Sequence, residues 1–146
     1  MATMAPLPSG ADDPLRLREM LGRAASLASA HHLPSVVVGM AGREGDLLFP
    51  EVVDFFASAL RMDDTILRLT RERVVLMLTD VDRVGAERIV QRLLAEFRER
   101  FATLGDPPIG LGYFEVEPGM GPLTVKQVLP TVFGVETSDE ESAEDA

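Results

Sequence analysis

The stretch Arg61 to Arg73, RMDDTILRLTRER, alternates acids and arginines around a short apolar core of Ile66, Leu67 and Leu69. Within it Arg61 and Asp64 stand three residues apart. Arginine presents a planar fork of donors that pairs with phosphate or with two neighbouring acceptors, and aspartate accepts from donors that arginine cannot serve. Placed at a turn from a helix into a strand, both side chains can point at one ligand. A purely structural reading stands beside this one, because a helix dipole favours arginine at its C-terminal end and aspartate caps turns. Arg68, Arg71 and Arg73 are accessory candidates: Arg71 and Arg73 either solvate a hairpin tip or add positive field near the site.

The elements that must position these residues follow from apolar periodicity. Leu17, Leu21, Ala24 and Ala28 recur at helical spacing after Asp13 and Pro14, a good cap and first-turn pair. Val36, Val37 and Val38 form a β-branched run suited to a buried strand. A second helix is expected from about Pro50 to Leu60 on the spacing of Val52, Val53, Phe56, Ala59 and Leu60, which places Arg61 at its end. Thr65 to Leu69 and Val74 to Leu78 read as a hairpin. A long helix follows, capped by Asp82, with Val90, Leu93, Leu94, Phe97 and Phe101 as its buried stripe, and GDPP breaks it. Ile109, Leu111 and Tyr113 alternate with Gly110 and Gly112, predicting a strand whose glycines permit close backbone approach. A shorter helix is expected over Leu123 to Phe133, kinked or ended by Pro130. This order predicts an α/β sandwich with a mostly antiparallel sheet flanked by helices. His31 and His32 read as helix-end residues, and Asp80 and Asp82 as capping groups.

At 146 residues and 46% hydrophobic content, the chain is the size of one domain with a real core. We expect a flexible leader over 1–12, a folded domain over 13–134 and an acidic, disordered tail over 135–146. The formal net charge is −10, which argues against DNA or RNA as a partner. Glu136, Asp139, Glu140, Glu141, Glu144 and Asp145 lie in the tail, and without them the charge is −4. Local basic clusters therefore survive in the body, and a small nucleotide is not excluded. The absence of cysteine removes disulfides, thiolate metal sites and cysteine nucleophiles. No apolar run approaches the roughly 20 residues of a membrane helix and no signal segment is evident, so a cytoplasmic protein without a membrane partner is expected.

Several motifs at fixed spacing resemble the GGDEF domain, the catalytic module of bacterial diguanylate cyclases, over roughly Asp13 to Phe133. Asp13-Pro14-Leu15 looks like its DPLT opening, and Gly45-Asp46 like its GD at the second helix. Arg61-Met62-Asp63-Asp64 reads as its RxxD, and Arg68-Leu69 as the residues just before its signature loop. Where cyclases carry GG(D/E)EF, this chain has Thr70-Arg71-Glu72-Arg73-Val74. Two glycines let the hairpin backbone come close to a triphosphate; threonine and arginine would fill that space. Only Glu72 keeps an acid. The strand position that would supply a second metal-binding carboxylate is Gly39 or Met40, the segment from Gly39 to Gly45 is too short for the family's substrate loop, and Asp46 alone matches a substrate-contacting residue. The resemblance therefore implies a degenerate GGDEF domain with no catalytic residues, no metal and no cofactor.

In the family, RxxD is the primary part of the inhibitory product site for cyclic di-GMP, and an arginine on the following long helix completes it. Arg92 falls at that position. The implied ligand-binding set is Arg61, Asp64 and Arg92: an arginine fork suits the O6 and N7 edge of guanine or a phosphate, and aspartate suits the guanine N1 and N2 donors. The expected function is that of an inactive GGDEF-domain protein that binds cyclic di-GMP and, with no output domain expected on the chain, acts through an unidentified protein partner or a ligand-bridged homodimer. The alternative is a nucleotide-independent interaction or scaffold module, with the acidic tail open to a basic partner. A residual GTP-binding role rests only on Glu72 and Asp46.

Overall fold

A computed structural model describes residues 14–104 and 108–134. The chain runs as α1 (Pro14–His31), β1 (Ser35–Ala41), α2 (Phe49–Ala59), β2 (Thr65–Thr70), β3 (Arg73–Thr79), α3 (Arg83–Arg100), a 3-10 turn (Ala102–Leu104), β4 (Gly110–Val116) and α4 (Val125–Val132). The four strands form one sheet in the order β2-β3-β1-β4, and every pairing is antiparallel. The expected α/β sandwich is the architecture found.

Helices cover both faces of the sheet. Val36, Val38 and Met40 of β1 and Val74, Leu76 and Leu78 of β3 pack against Phe56 of α2 and Val90, Leu93 and Phe97 of α3. The intervening Val37, Val75 and Met77 face Leu17, Leu21 and Ala24 of α1 and Val128 and Val132 of α4. Two covered faces explain why the central strands are apolar at consecutive positions, Val36 to Val38 in β1 and Val74 to Leu78 in β3, instead of alternating. Burying one such side chain contributes on the order of 2 kcal/mol, so the pair β1–β3 anchors everything else.

Local chemistry sets the boundaries. Asp82 caps α3 as expected, its Oδ1 accepting the Gly85 amide at 2.8 Å. Thr124 and Gln127 form a reciprocal capping box at the start of α4, which begins the helix two residues later than the sequence reading. Pro130 sits inside α4, and the helix ends two residues beyond it. Gly39 and Gly112 are cross-strand partners, and both lie under Val132. A Cβ at Gly39 would stand 2.8 Å from the Val132 Cβ, and one at Gly112 would collide with the Val132 carbonyl. The close approach expected at Gly112 is therefore a seat for α4.

The leader, the Asp13 cap, residues 105–107 and the tail lie outside the described residues. Among the described residues, no helix is long and apolar enough to cross a membrane.

Candidate functional site

The turn between α2 and β2 is built around an unfinished strand pairing. β2 starts with Thr65 opposite Met77, so two residues further on Thr79, which is buried, has no β2 residue to bond. Side chains take that place. Asp64 Oδ1 accepts the Thr79 amide at 3.0 Å, and Arg61 Nη2 donates to the Thr79 carbonyl at 2.6 Å. Arg61 also donates to Asp64 from Nε at 3.1 Å and from Nη2 at 3.3 Å. Thr79 Oγ1 donates to the Asp63 carbonyl at 3.1 Å. The Asp64 hydrogen bond and charge raise the pKa of Arg61 above its ordinary value, against a smaller opposing effect of burial.

The two members differ in access. The Arg61 side chain is 55% exposed and that of Asp64 only 2%. The sequence reading has Asp64 accept from guanine directly; in the structure its carboxylate is turned inward and engaged by Arg61 and Thr79, because a buried amide needs an acceptor. Among the described residues Arg61 Nη1 has no hydrogen-bond partner, and more than half of the side chain is exposed. Beside it Met62 is 99% exposed.

Arg92 lies on α3 away from the buried stripe, 63% exposed, with Nε 3.7 Å from Glu96 Oε2. It shares no hydrogen bond or ion pair with Arg61 or Asp64. α2 ends, and α3 begins, at the Thr79 edge of the sheet, so the two helices run in opposite senses, and Phe55 meets Phe97 at 5.8 Å between ring centroids.

The accessory arginines fall elsewhere. Arg71 and Arg73 are at the other end of β3, about 20 Å from Thr79 at 3.3 Å per residue, so the structure does not bring them to Arg61. Arg68 pairs with Asp54 at 3.2 Å, and the Arg73 guanidinium lies over the Phe133 ring at 5.3 Å. Around the tip, Thr70 pairs with Arg73, the Glu72 amide donates to Thr70 Oγ1, and the Gly42 amide donates to the Glu72 carbonyl at 2.7 Å. One hollow of about 250 Å³ is bounded by Val53, Asp54, Arg68, Thr70 and Arg71, and another of about 350 Å³ by Gly42, Glu44, Thr70, Glu72 and Arg73. Asp46 holds the lead-in to α2, its Oδ1 accepting the Leu48 amide at 2.9 Å. Met40 is fully buried in the core.

No protein-family model and no curated protein matches the sequence. Solved structures do match. The GGDEF domain of DgcB from Caulobacter crescentus, in complex with c-di-GMP, aligns with a TM-score of 0.67 at 13% identity over 94% of each chain. The FimX GGDEF domain from Pseudomonas aeruginosa gives 0.66 at 11% identity, over 93% of this chain and 95% of that one. The chain has a GGDEF-like fold. PelD from Pseudomonas aeruginosa aligns at 0.62 with 23% identity, over 84% of this chain and half of that one.

Within this GGDEF-like fold, the sequence reading passed over three residues that shape the two regions. Thr79 supplies both backbone groups that organise Arg61 and Asp64, and only the hairpin register would have pointed to it. Asp54 pairs with Arg68 across the space between α2 and β2, and Glu44 shares the second hollow with Glu72. Neither belongs to a motif; both were reachable only through the packing of α2 and the path of the loop after β1.

Proposed function

We propose that this chain is a catalytically inactive, cytoplasmic GGDEF-like signalling module that binds cyclic di-GMP at Arg61 and Arg92, with Asp64 as a positioning residue, and acts through a protein partner or through self-association. The observation that carries the reading is the posture of Arg61: two of its nitrogens are clamped by Asp64 and Thr79 while more than half of the side chain stays open. A guanidinium held this way loses little freedom on binding a phosphate or the O6 and N7 edge of guanine. Arg92 supplies a second, exposed fork on α3, and Met62 offers a polarizable apolar surface to a base. DgcB, with the same fold, is in complex with c-di-GMP.

Inactivity is supported by the donor set. Gly39 has no side chain, and the direction a Cβ would take is filled by Val132. Met40 is a core residue, and Glu72 is flanked by Arg71 and Arg73. These residues do not fit a pair of metal-binding carboxylates. Incubation with GTP and magnesium or manganese is expected to give no product.

Calorimetry with cyclic di-GMP tests the binding. We expect saturable binding by the wild type and its loss in Arg61→Ala and Arg92→Ala. Absence of binding by the wild type, or unchanged binding in both variants, removes the proposal. One observation favours a second reading, a nucleotide-independent interaction module: Arg61, Asp64 and Thr79 satisfy one another, and Arg92 has Glu96. Partners captured equally well with and without cyclic di-GMP would support that alternative.

A further inference from the structure

α1 and α4 share one face of the sheet, and between them opens a hollow of about 390 Å³, bounded by Arg18 and Leu21 of α1 and by Leu123, Thr124, Val125 and Lys126 at the start of α4. Part of its wall is apolar. Leu21 is buried in the core, and Leu123 and Val125 pack against that core while staying partly open. The rest is cationic. Arg18 and Lys126 are both exposed, and neither has a hydrogen-bond or ion-pair partner among the described residues. No acid stands three or four positions from either one, where a helical neighbour would neutralise it. Glu19, next to Arg18 in sequence, bounds a separate hollow with Arg16 and Arg23. In a chain of net charge −10, two cations with no acid among the residues that bound their hollow are a local reversal of sign.

We propose that this hollow binds a small amphiphilic anion, a molecule with a carboxylate or phosphate-ester head and a short hydrocarbon tail. The head pairs with the Arg18 guanidinium and the Lys126 ammonium through charge-assisted hydrogen bonds. The tail covers Leu21, Leu123 and Val125 and takes their open surface out of water. Each half of the ligand is needed. An anion without a tail has only two exposed cations to hold it, and exposed pairs are weak; a neutral tail leaves both charges unmatched. The volume lies within the range of small-molecule sites, about 300–1,000 Å³. The end of α4 is not itself the anchor, because Thr124 and Gln127 already cap each other there, so selection rests on the side chains. This inference does not depend on cyclic di-GMP: α2 and α3, whose ends and surfaces carry Arg61 and Arg92, cover the other face of the sheet.

Octanoate and octyl phosphate are the probes, followed in amide spectra of the full chain. We expect saturable shifts centred on Arg18 to Gly22 and Leu123 to Gln127, with acetate and octan-1-ol binding at least about tenfold more weakly. A preference for one head over the other names the head and supports the site either way. Arg18→Ser/Lys126→Ser, at two exposed positions, should weaken the tighter probe at least about tenfold. Arg23→Ser, which removes an exposed cation from the neighbouring hollow, should leave that affinity unchanged, and the amide shifts elsewhere report that each variant keeps its fold. Absence of saturable shifts with both probes, octan-1-ol binding as tightly as the anions, unchanged affinity in the double variant, or an equal loss in Arg23→Ser overturns the proposal.

Discussion

The Asp64 carboxylate and the Thr79 amide, fifteen residues apart in sequence, are joined at 3.0 Å where strand pairing stops. β2 starts too late to pair with Thr79, and the turn that precedes β2 closes the gap with side chains. Arg61 completes the closure by taking the Thr79 carbonyl at 2.6 Å. One motif thus finishes the sheet edge and leaves a cation held outward, so a variant of Asp64 should act on folding before it acts on any ligand.

Asp64→Ala leaves a buried amide without an acceptor and is expected to cost about 1–3 kcal/mol. Asp64→Asn keeps an acceptor for that amide while losing the charge opposite Arg61, and should cost less. Denaturant unfolding of both variants gives the ordering. Equal losses would mean that the Thr79 contact contributes nothing separable.

Arg92→Ala is expected to leave stability within about 0.5 kcal/mol of wild type, since the residue is exposed and its pairing with Glu96 is loose. If it binds the ligand through charge-assisted hydrogen bonds of about 1.5–3 kcal/mol, cyclic di-GMP affinity falls tenfold or more. Thermal unfolding and calorimetry on the same preparation separate the two effects, and Arg61→Ala should move both.

Two glycines should respond with opposite signs. Gly112→Ala drives a methyl group into the Val132 carbonyl and is expected to destabilise by about 1–3 kcal/mol through overpacking. Gly22→Ala, inside α1 with open space around its Cβ direction, should stabilise by roughly 0.5–1 kcal/mol. Unfolding midpoints decide both.

Tyr113 is the sole tyrosine, in a chain with no tryptophan, so phenolate absorbance reports it alone. Burial foremost and then Glu87 raise its pKa, while Arg83 lowers it. The unfolded chain titrates near 10, and the folded midpoint should lie higher. Its stabilising contribution is therefore whole below pH 10 and is lost as pH climbs through the folded value. Glu87→Gln should lower the midpoint and Arg83→Ala raise it; coincident folded and unfolded curves would contradict the assignment.

The element order is legible in the sequence because each segment carries its own signal: Val36 to Val38 for a doubly covered strand, Val90 to Phe97 for the buried stripe of α3, Asp82 for its start. α4 is less legible, since Thr124 and Gln127 cap it by a reciprocal contact that outweighs the apolar Leu123, and Pro130 is tolerated so near its end. The spacing of Arg61, Asp64 and Arg92 is visible too, but what each side chain touches is not. The inward turn of Asp64 depends on Thr79 arriving from another strand, and the separation of Arg71 and Arg73 from Arg61 depends on the length of β3. Both are products of long-range register, which local patterns do not encode.

The helix resting on Gly39 also bears on what the strand can carry. At position 39 the Cβ direction is already occupied by Val132, and the next residue, Met40, is sealed in the core. A side chain placed at 39 would have to lift α4 from the sheet first. Installing a carboxylate there thus demands coordinated changes on two elements.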